Sequence, residues 1–158
     1  MNAGGDTPAI RAAEALGIAF EVRRIERPRD LADAAERLGV TPDRILKTMV
    51  VRRGADDHLL VLVPGDRNLD WPRLRRHLGV SRLSMPSADG AREATGYERG
   101  TITPFGVTVP WPVLVDATVP GSGTVTVGGG AHGVSLRVDA DELIAVLGAD
   151  VGDVTTHT

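Results

Sequence analysis

The stretch from Arg44 to Val63 constrains the fold more than any other. Arg44-Ile45-Leu46-Lys47-Thr48-Met49-Val50-Val51 is largely apolar and β-branched, Gly54 to Asp57 is turn chemistry, and His58-Leu59-Leu60-Val61-Leu62-Val63 returns almost without a polar break. Two such runs around a glycine-containing turn predict a β-hairpin, and the second run reads as a buried strand. Lys47, inside the first run, is the chain's sole lysine; the rest of its 18 basic residues are arginine. Arginine is a planar fork of fixed charge, whereas lysine is a compact point charge that loses its proton when buried. Lys47 is therefore either an aimed ammonium in a tight site or a stem that snorkels out of a strand.

Around this hairpin the chain alternates helices and strands with short connections. Thr7 before Pro8 predicts a helix cap, with Ile10, Ala13 and Leu16 inward and Gly17 as the stop. Ile18, Phe20 and Val22 alternate as a half-buried strand. Asp30 caps a second helix over Leu31, Ala34, Ala35 and Leu38, and Thr41-Pro42-Asp43 opens a short helical turn into the hairpin. Pro64-Gly65-Asp66 breaks the hairpin, and Asp70 starts a helix with Leu74 and Leu78 inward. Residues 81–85 read as a short strand, and Ser87 as the cap of a helix through Ala94. Strands follow at 113–116, 124–127 and 134–138. Asp139 with Glu142 fits a capping box before Leu143, Ile144, Val146 and Leu147. The expectation is one α+β domain spanning 1–158, with its core at about 7–148 and a frayed tail at 149–158.

Composition narrows the chemistry. The 158 residues include no cysteine, which excludes thiolate nucleophiles, Cys-ligated zinc and disulfides. Met1-Asn2-Ala3-Gly4-Gly5-Asp6 has neither a basic nor an apolar leader region, and no apolar run nears the ~20 residues that span a bilayer. The expectation is a cytoplasmic protein without membrane contact. The net charge of −3 is unevenly spread: residues 1–99 hold 17 Lys and Arg against 15 Asp and Glu, and residues 100–158 hold one against six. Arginines bunch at positions 23–29, at 52–53 and at 73–76, where they serve as phosphate contacts or as solvated faces. The acidic balance argues against a dedicated high-affinity nucleic-acid binder, and no DNA partner is expected. His58, His77, His132 and His157 have no zinc-like spacing, no serine sits in a nucleophile elbow, and neither a P-loop nor a dinucleotide fingerprint is present. No metal and no cofactor are expected.

Two glycine-rich segments remain. Thr95-Gly96-Tyr97-Glu98-Arg99-Gly100-Thr101-Ile102-Thr103-Pro104-Phe105-Gly106 makes a poor helix and a poor strand, and Gly128-Gly129-Gly130 follows a strand directly. Each is either a tight turn or a place where backbone N–H groups meet an anion or a carbonyl oxygen.

In order, RILKTMVV, TGYERGTITPFG, PVLVD and VTVGGGAHG resemble the YbaK/prolyl-tRNA synthetase-associated editing domain family over about Thr7 to Asp153. The resemblance implies a mixed, largely antiparallel barrel-like sheet surrounded by helices. It also implies a trans-editing deacylase that hydrolyses the ester of a mischarged tRNA of the Cys- or Ala-tRNA-Pro type, with no cofactor. Its partners would be the 3′ aminoacyl-adenosine end of tRNA and prolyl-tRNA synthetase. On this resemblance Lys47, Gly100 and Pro104 are catalytic, and Thr48, Thr101, Ile102, Thr103, Gly128, Gly129, Gly130 and His132 bind substrate. The chain departs from the family at Gly128, where bacterial Cys-tRNA deacylases carry serine, and at Ile25, where they carry tyrosine. Both departures remove hydroxyls, which leaves a non-catalytic module holding a nucleotide or a tRNA 3′ end as the alternative.

Overall fold

The computed structural model describes residues 6–158; the leader reading of Met1–Gly5 lies outside the described residues. In chain order the elements are α1 (Pro8–Leu16), β1 (Glu21–Arg24), α2 (Leu31–Leu38), β2 (Leu46–Gly54), β3 (Asp57–Pro64), β4 (Arg67–Leu69) and α3 (Trp71–Leu78). There follow α4 (Ala88–Thr95), β5 (Val113–Asp116), β6 (Thr124–Gly128), β7 (Val134–Asp139), α5 (Ala140–Leu147), β8 (Asp150–Gly152) and β9 (Thr155–His157). Each helix starts on a capping side chain (Thr7, Asp30, Asp70, Ser87, Asp139) and stops at a left-handed glycine.

The expected hairpin is the centre of the molecule. β2 and β3 pair antiparallel from Leu46 opposite Pro64 to Gly54 opposite Asp57. β5 then adds parallel to β3, and β8 parallel to β5, giving the order β2-β3-β5-β8. The apolar run of β3 follows from this position, because the sheet is buried on both faces. Leu60 and Leu62 join Leu46, Val50, Val113 and Val115 in one core, while Leu59, Val61 and Val63 join Val51, Leu74, Leu114 and Val154 in the other.

A second sheet, β1-β7-β6, is antiparallel, and β4 pairs with β9 as a two-stranded ribbon. One parallel bridge, Ile45 to Thr126, stitches β6 to the start of β2. The mixed α+β architecture is as expected. The barrel-like arrangement is not closed: the three sheets are joined only by that bridge, and no ladder among the described residues closes them.

Four local expectations are corrected. The strand read at 18–22 runs from Glu21 to Arg24; Ile18 is buried ahead of it, and the Ala19 N–H donates to Glu142 Oε1 at 3.0 Å. That contact also leaves the capping box half-formed. Asp139 accepts from the Glu142 N–H, but the Glu142 carboxylate serves another segment. Residues 81–85 contribute one bridge, Ser84 to Arg52, in place of a strand. The tail is not frayed: β8 and β9 are paired, and Val154 and Thr155 are fully buried. These three-residue strands are stabilised by partners distant in sequence, which no local pattern announces.

Candidate active site

The loop after α4 is built by its own side chains. Thr95 Oγ1 donates to Ala91 O at 2.8 Å and accepts from the Tyr97 N–H, so the chain turns as the helix ends. Tyr97 is buried, and its hydroxyl donates to Phe105 O at 2.6 Å, closing residues 97–105 into one bracket. Burial pushes the Tyr97 hydroxyl up to about 12, so it stays a donor. Within the bracket Thr101 Oγ1 donates to Glu98 O, Thr103 Oγ1 accepts from the Phe105 N–H, and Thr101, Thr103 and Pro104 are buried. The hydroxyls of Thr101 and Thr103, both expected to bind substrate, are engaged in holding the loop. What the loop presents is backbone. Among the described residues the N–H groups of Gly100, Ile102 and Thr103 meet no protein acceptor.

The glycine turn is packed directly against this bracket. A Cβ at Gly128 would lie 3.1 Å from Ile102 O, and one at Gly130 would lie 3.1 Å from Tyr97 Cε1. Gly129 has no room for a side chain, since a Cβ there would lie 2.6 Å from Val134 Cγ1 and 2.9 Å from the Val134 backbone. Thr7 secures the turn from below: its Oγ1 caps α1 and donates to Gly129 O at 2.6 Å. His132 reaches across to the loop. Its Nε2 donates to Glu98 Oε1 at 2.9 Å, and its Cε1 stands 3.1 Å from where a Gly100 Cβ would be. Gly100 has φ +92°, a conformation that disfavours any side chain.

Lys47 lies on the neighbouring strand. Lys47 follows Ile45 by two residues, and Gly128 follows Thr126 by two, so both lead away from the one point where the two strands are bridged. Its Nζ donates to Arg67 O at 2.6 Å. Desolvation holds its pKa below the ordinary lysine value of 10.5, opposed by the nearby Asp66 carboxylate. Asp66 and Arg67 also line a cavity of about 230 Å³ with Leu46, Thr118 and Ser122. Asp66 Oδ1 and Ser122 Oγ are buried there without a partner among the described residues. Thr48 does not accompany Lys47. It shares the parity of Leu46 and Val50, so it faces the core, with its hydroxyl buried and unpartnered.

The structure therefore gathers Gly100 to Pro104, Gly128 to Gly130 and His132 at one place, with Lys47 on the neighbouring strand. No hydrogen bond or ion pair among the described residues joins Lys47 to the loop. Sequence reasoning missed Glu98 and the second role of Thr7. The carboxylate at Glu98, two residues before Gly100, was the one available signal.

The aminoacyl-tRNA editing domain family model matches residues 26–154. Over 122 residues the chain is 24% identical to the "Putative Cys-tRNA(Pro)/Cys-tRNA(Cys) deacylase EbsC" of Enterococcus faecalis, covering 77% of this chain and 74% of that protein. It is 28% identical to the proline–tRNA ligase of Kosmotoga olearia, matching 87% of this chain but only 23% of the ligase. The solved structure titled "putative trans-editing enzyme for prolyl tRNA synthetase" superposes with a TM-score of 0.85 at 28% identity, covering 96% of this chain and 98% of that one. The chain belongs to the aminoacyl-tRNA editing domain family.

Proposed function

We propose that the chain is a trans-editing aminoacyl-tRNA deacylase that hydrolyses the ester between a wrong amino acid and the terminal ribose of tRNA, with Cys- or Ala-tRNA-Pro as the substrates to test first. The observation that carries the reading is the set of unpartnered N–H groups at Gly100, Ile102 and Thr103, held by buried side chains against the glycine turn. Ester hydrolysis passes through a tetrahedral oxyanion. Fixed backbone donors aimed at such a charge are each worth about 3–4 kcal/mol in comparable sites.

A water oxygen attacks the ester carbon, the carbonyl oxygen becomes the oxyanion held by these amides, and collapse breaks the carbon–oxygen bond to the ribose. The ribose oxygen leaves with a proton from the attacking water, passed directly or through the neighbouring ribose hydroxyl. Lys47 supplies positive charge from the adjacent strand. The unpartnered oxygens of Asp66 and Ser122 offer acceptors for the terminal nucleoside or for the amino acid's ammonium group. His132, fixed by Glu98, stands beside Gly100 at the edge of the loop. The likeness to a solved structure titled "putative trans-editing enzyme for prolyl tRNA synthetase" supports the reading.

A second reading, a binding module that holds a tRNA end without hydrolysis, is favoured by the hydroxyls missing at Ile25 and Gly128. Labelled Cys-tRNA-Pro and Ala-tRNA-Pro incubated with the protein separate the two. Release of the amino acid well above the spontaneous rate is the expected result. Retained label with tRNA bound would leave the binding module.

A further inference from the structure

At the far end of the β2–β3 hairpin a groove of about 480 Å³ is lined by Arg52, Arg53, Arg75 and Arg82, together with Ser81 and Ser84. Nothing in the deacylase reading uses it. Four guanidinium groups share this groove in a chain whose net charge is −3, and no carboxylate lines it. Arg53 is paired with Asp57 at 3.1 Å. Arg52, Arg75 and Arg82 take part in no ion pair among the described residues, and neither do Arg23, Arg27, Arg76, Arg92 and Arg99, whereas Arg11, Arg73 and Arg137 each hold a carboxylate.

The groove is also built. Its outer wall, residues 81–84, is fastened to the strand by two backbone hydrogen bonds, Arg52 N–H to Ser84 O at 2.8 Å and Ser84 N–H to Arg52 O at 3.1 Å. Arg75 is delivered by the last turn of α3, one helix away from the strand arginines. Three separate elements thus converge like charges that repel one another until an anion arrives.

We propose that this groove seats the sugar–phosphate backbone of RNA, the body of the tRNA whose 3′ end the site described above would take. The chemistry favours that occupant over an acidic peptide. Guanidinium forks and hydroxyls match phosphate oxygens, while Leu83 is the groove's only large apolar side chain and no aromatic anchor lines it. The proposal rests on the reading of the chain as a tRNA-directed protein, but its test does not require hydrolysis.

The probe is uncharged, fluorescently labelled tRNA-Pro transcript, titrated with full-length protein between 50 and 300 mM salt. The groove variant is Arg52→Gln/Arg82→Gln, which changes two exposed residues. The charge-matched control is Arg11→Gln/Arg137→Gln, in which both arginines already have carboxylate partners. Each phosphate contact contributes a slope of roughly 0.7–0.9 to the dependence of log affinity on log salt. The groove variant is expected to lose about 1.4–1.8 units of that slope and to bind tRNA about tenfold more weakly at low salt, with the control near wild type. Arg82→Glu alone, with a thermal melt matching wild type, gives the same direction should the double variant be unstable. Equal loss in groove and control variants would mean attraction by net charge, and unchanged tRNA binding would mean no seat; either overturns the proposal. So would unchanged tRNA affinity alongside lost binding of a poly-glutamate peptide. If wild type releases no amino acid from charged tRNA yet the groove variant still loses tRNA affinity, the deacylase reading falls and the groove stands.

Discussion

Lys47→Met separates catalysis from folding more sharply than any other substitution here. Methionine keeps an unbranched stem of similar length beside Met49 and Val51 and removes only the ammonium. The lost hydrogen bond to Arg67 O, 2.6 Å long, is a destabilising contribution of about 1–2 kcal/mol. Against it stands the desolvation of the charge, which holds the Lys47 pKa below 10.5 and so disfavours the charged folded state. The two oppose, leaving a net change of about 1 kcal/mol or less, a shift of roughly 2–4 °C in Tm for a chain of this size. The pH dependence has a defined sign. Between the depressed folded pKa and the unfolded value near 10.5 the unfolded chain binds more protons, so wild-type stability rises with pH through that window. The variant lacks this rise, and the gap between the two therefore moves in favour of wild type as pH approaches 10.5. Deacylation of charged tRNA should fall by about 100-fold or more, the scale of losing one electrostatic stabiliser. Thermal melts from pH 7 to 10.5 and single-turnover deacylation measure both. A drop in Tm beyond about 8 °C would make Lys47 a structural residue. Deacylation within a few-fold of wild type would remove it from the mechanism.

Two further outcomes follow from the geometry. Gly100→Ala forces a side chain onto φ +92° and to 3.1 Å from His132 Cε1, a strain of about 1–3 kcal/mol at the residue that opens the amide cluster. Single-turnover deacylation should slow at least tenfold while the melt shifts by a few degrees, and an unchanged rate would take the loop out of the chemistry. Val154→Ala removes two methyl groups from a fully buried position against Val51, Leu74 and Leu114, costing about 2–3 kcal/mol and lowering Tm by roughly 5–10 °C. A melt that does not move would restore the frayed tail.

What could be read from the residues alone was what is encoded locally. The hairpin showed because β3 is apolar on both faces and a glycine-containing turn precedes it. The helices showed because each carries its own cap and its own stopping glycine. β4, β8 and β9 did not, because Arg67-Asn68-Leu69, Asp150-Val151-Gly152 and Thr155-Thr156-His157 have neither length nor alternation. They are strands because Thr155 pairs with Leu69 and Val151 with Val115. The same limit applied to the site. Its glycines marked where the backbone turns or is closely packed, but the Glu98–His132 and Thr7–Gly129 contacts span 34 and 122 residues of chain. Thr48 is separated from Lys47 for another reason: neighbours on a strand face opposite sides, so a residue beside an aimed lysine is the one turned away from it.

This division of labour bears on the two missing hydroxyls. The chemistry assigned to the loop is carried by main-chain N–H groups, whose placement depends on the Tyr97–Phe105 closure and on Thr101 and Thr103, all present. Residue 128 enters that placement indirectly. With glycine there, Ile102 O rests 3.1 Å from where a Cβ would begin. A serine at 128 would push against the same peptide, so the loop would have to give by a few tenths of an ångström to admit it. Glycine at 128 and the close-set loop are therefore one structural choice, and under the proposed deacylase reading the missing hydroxyl bears on which side chain is accepted before it bears on whether the ester is broken.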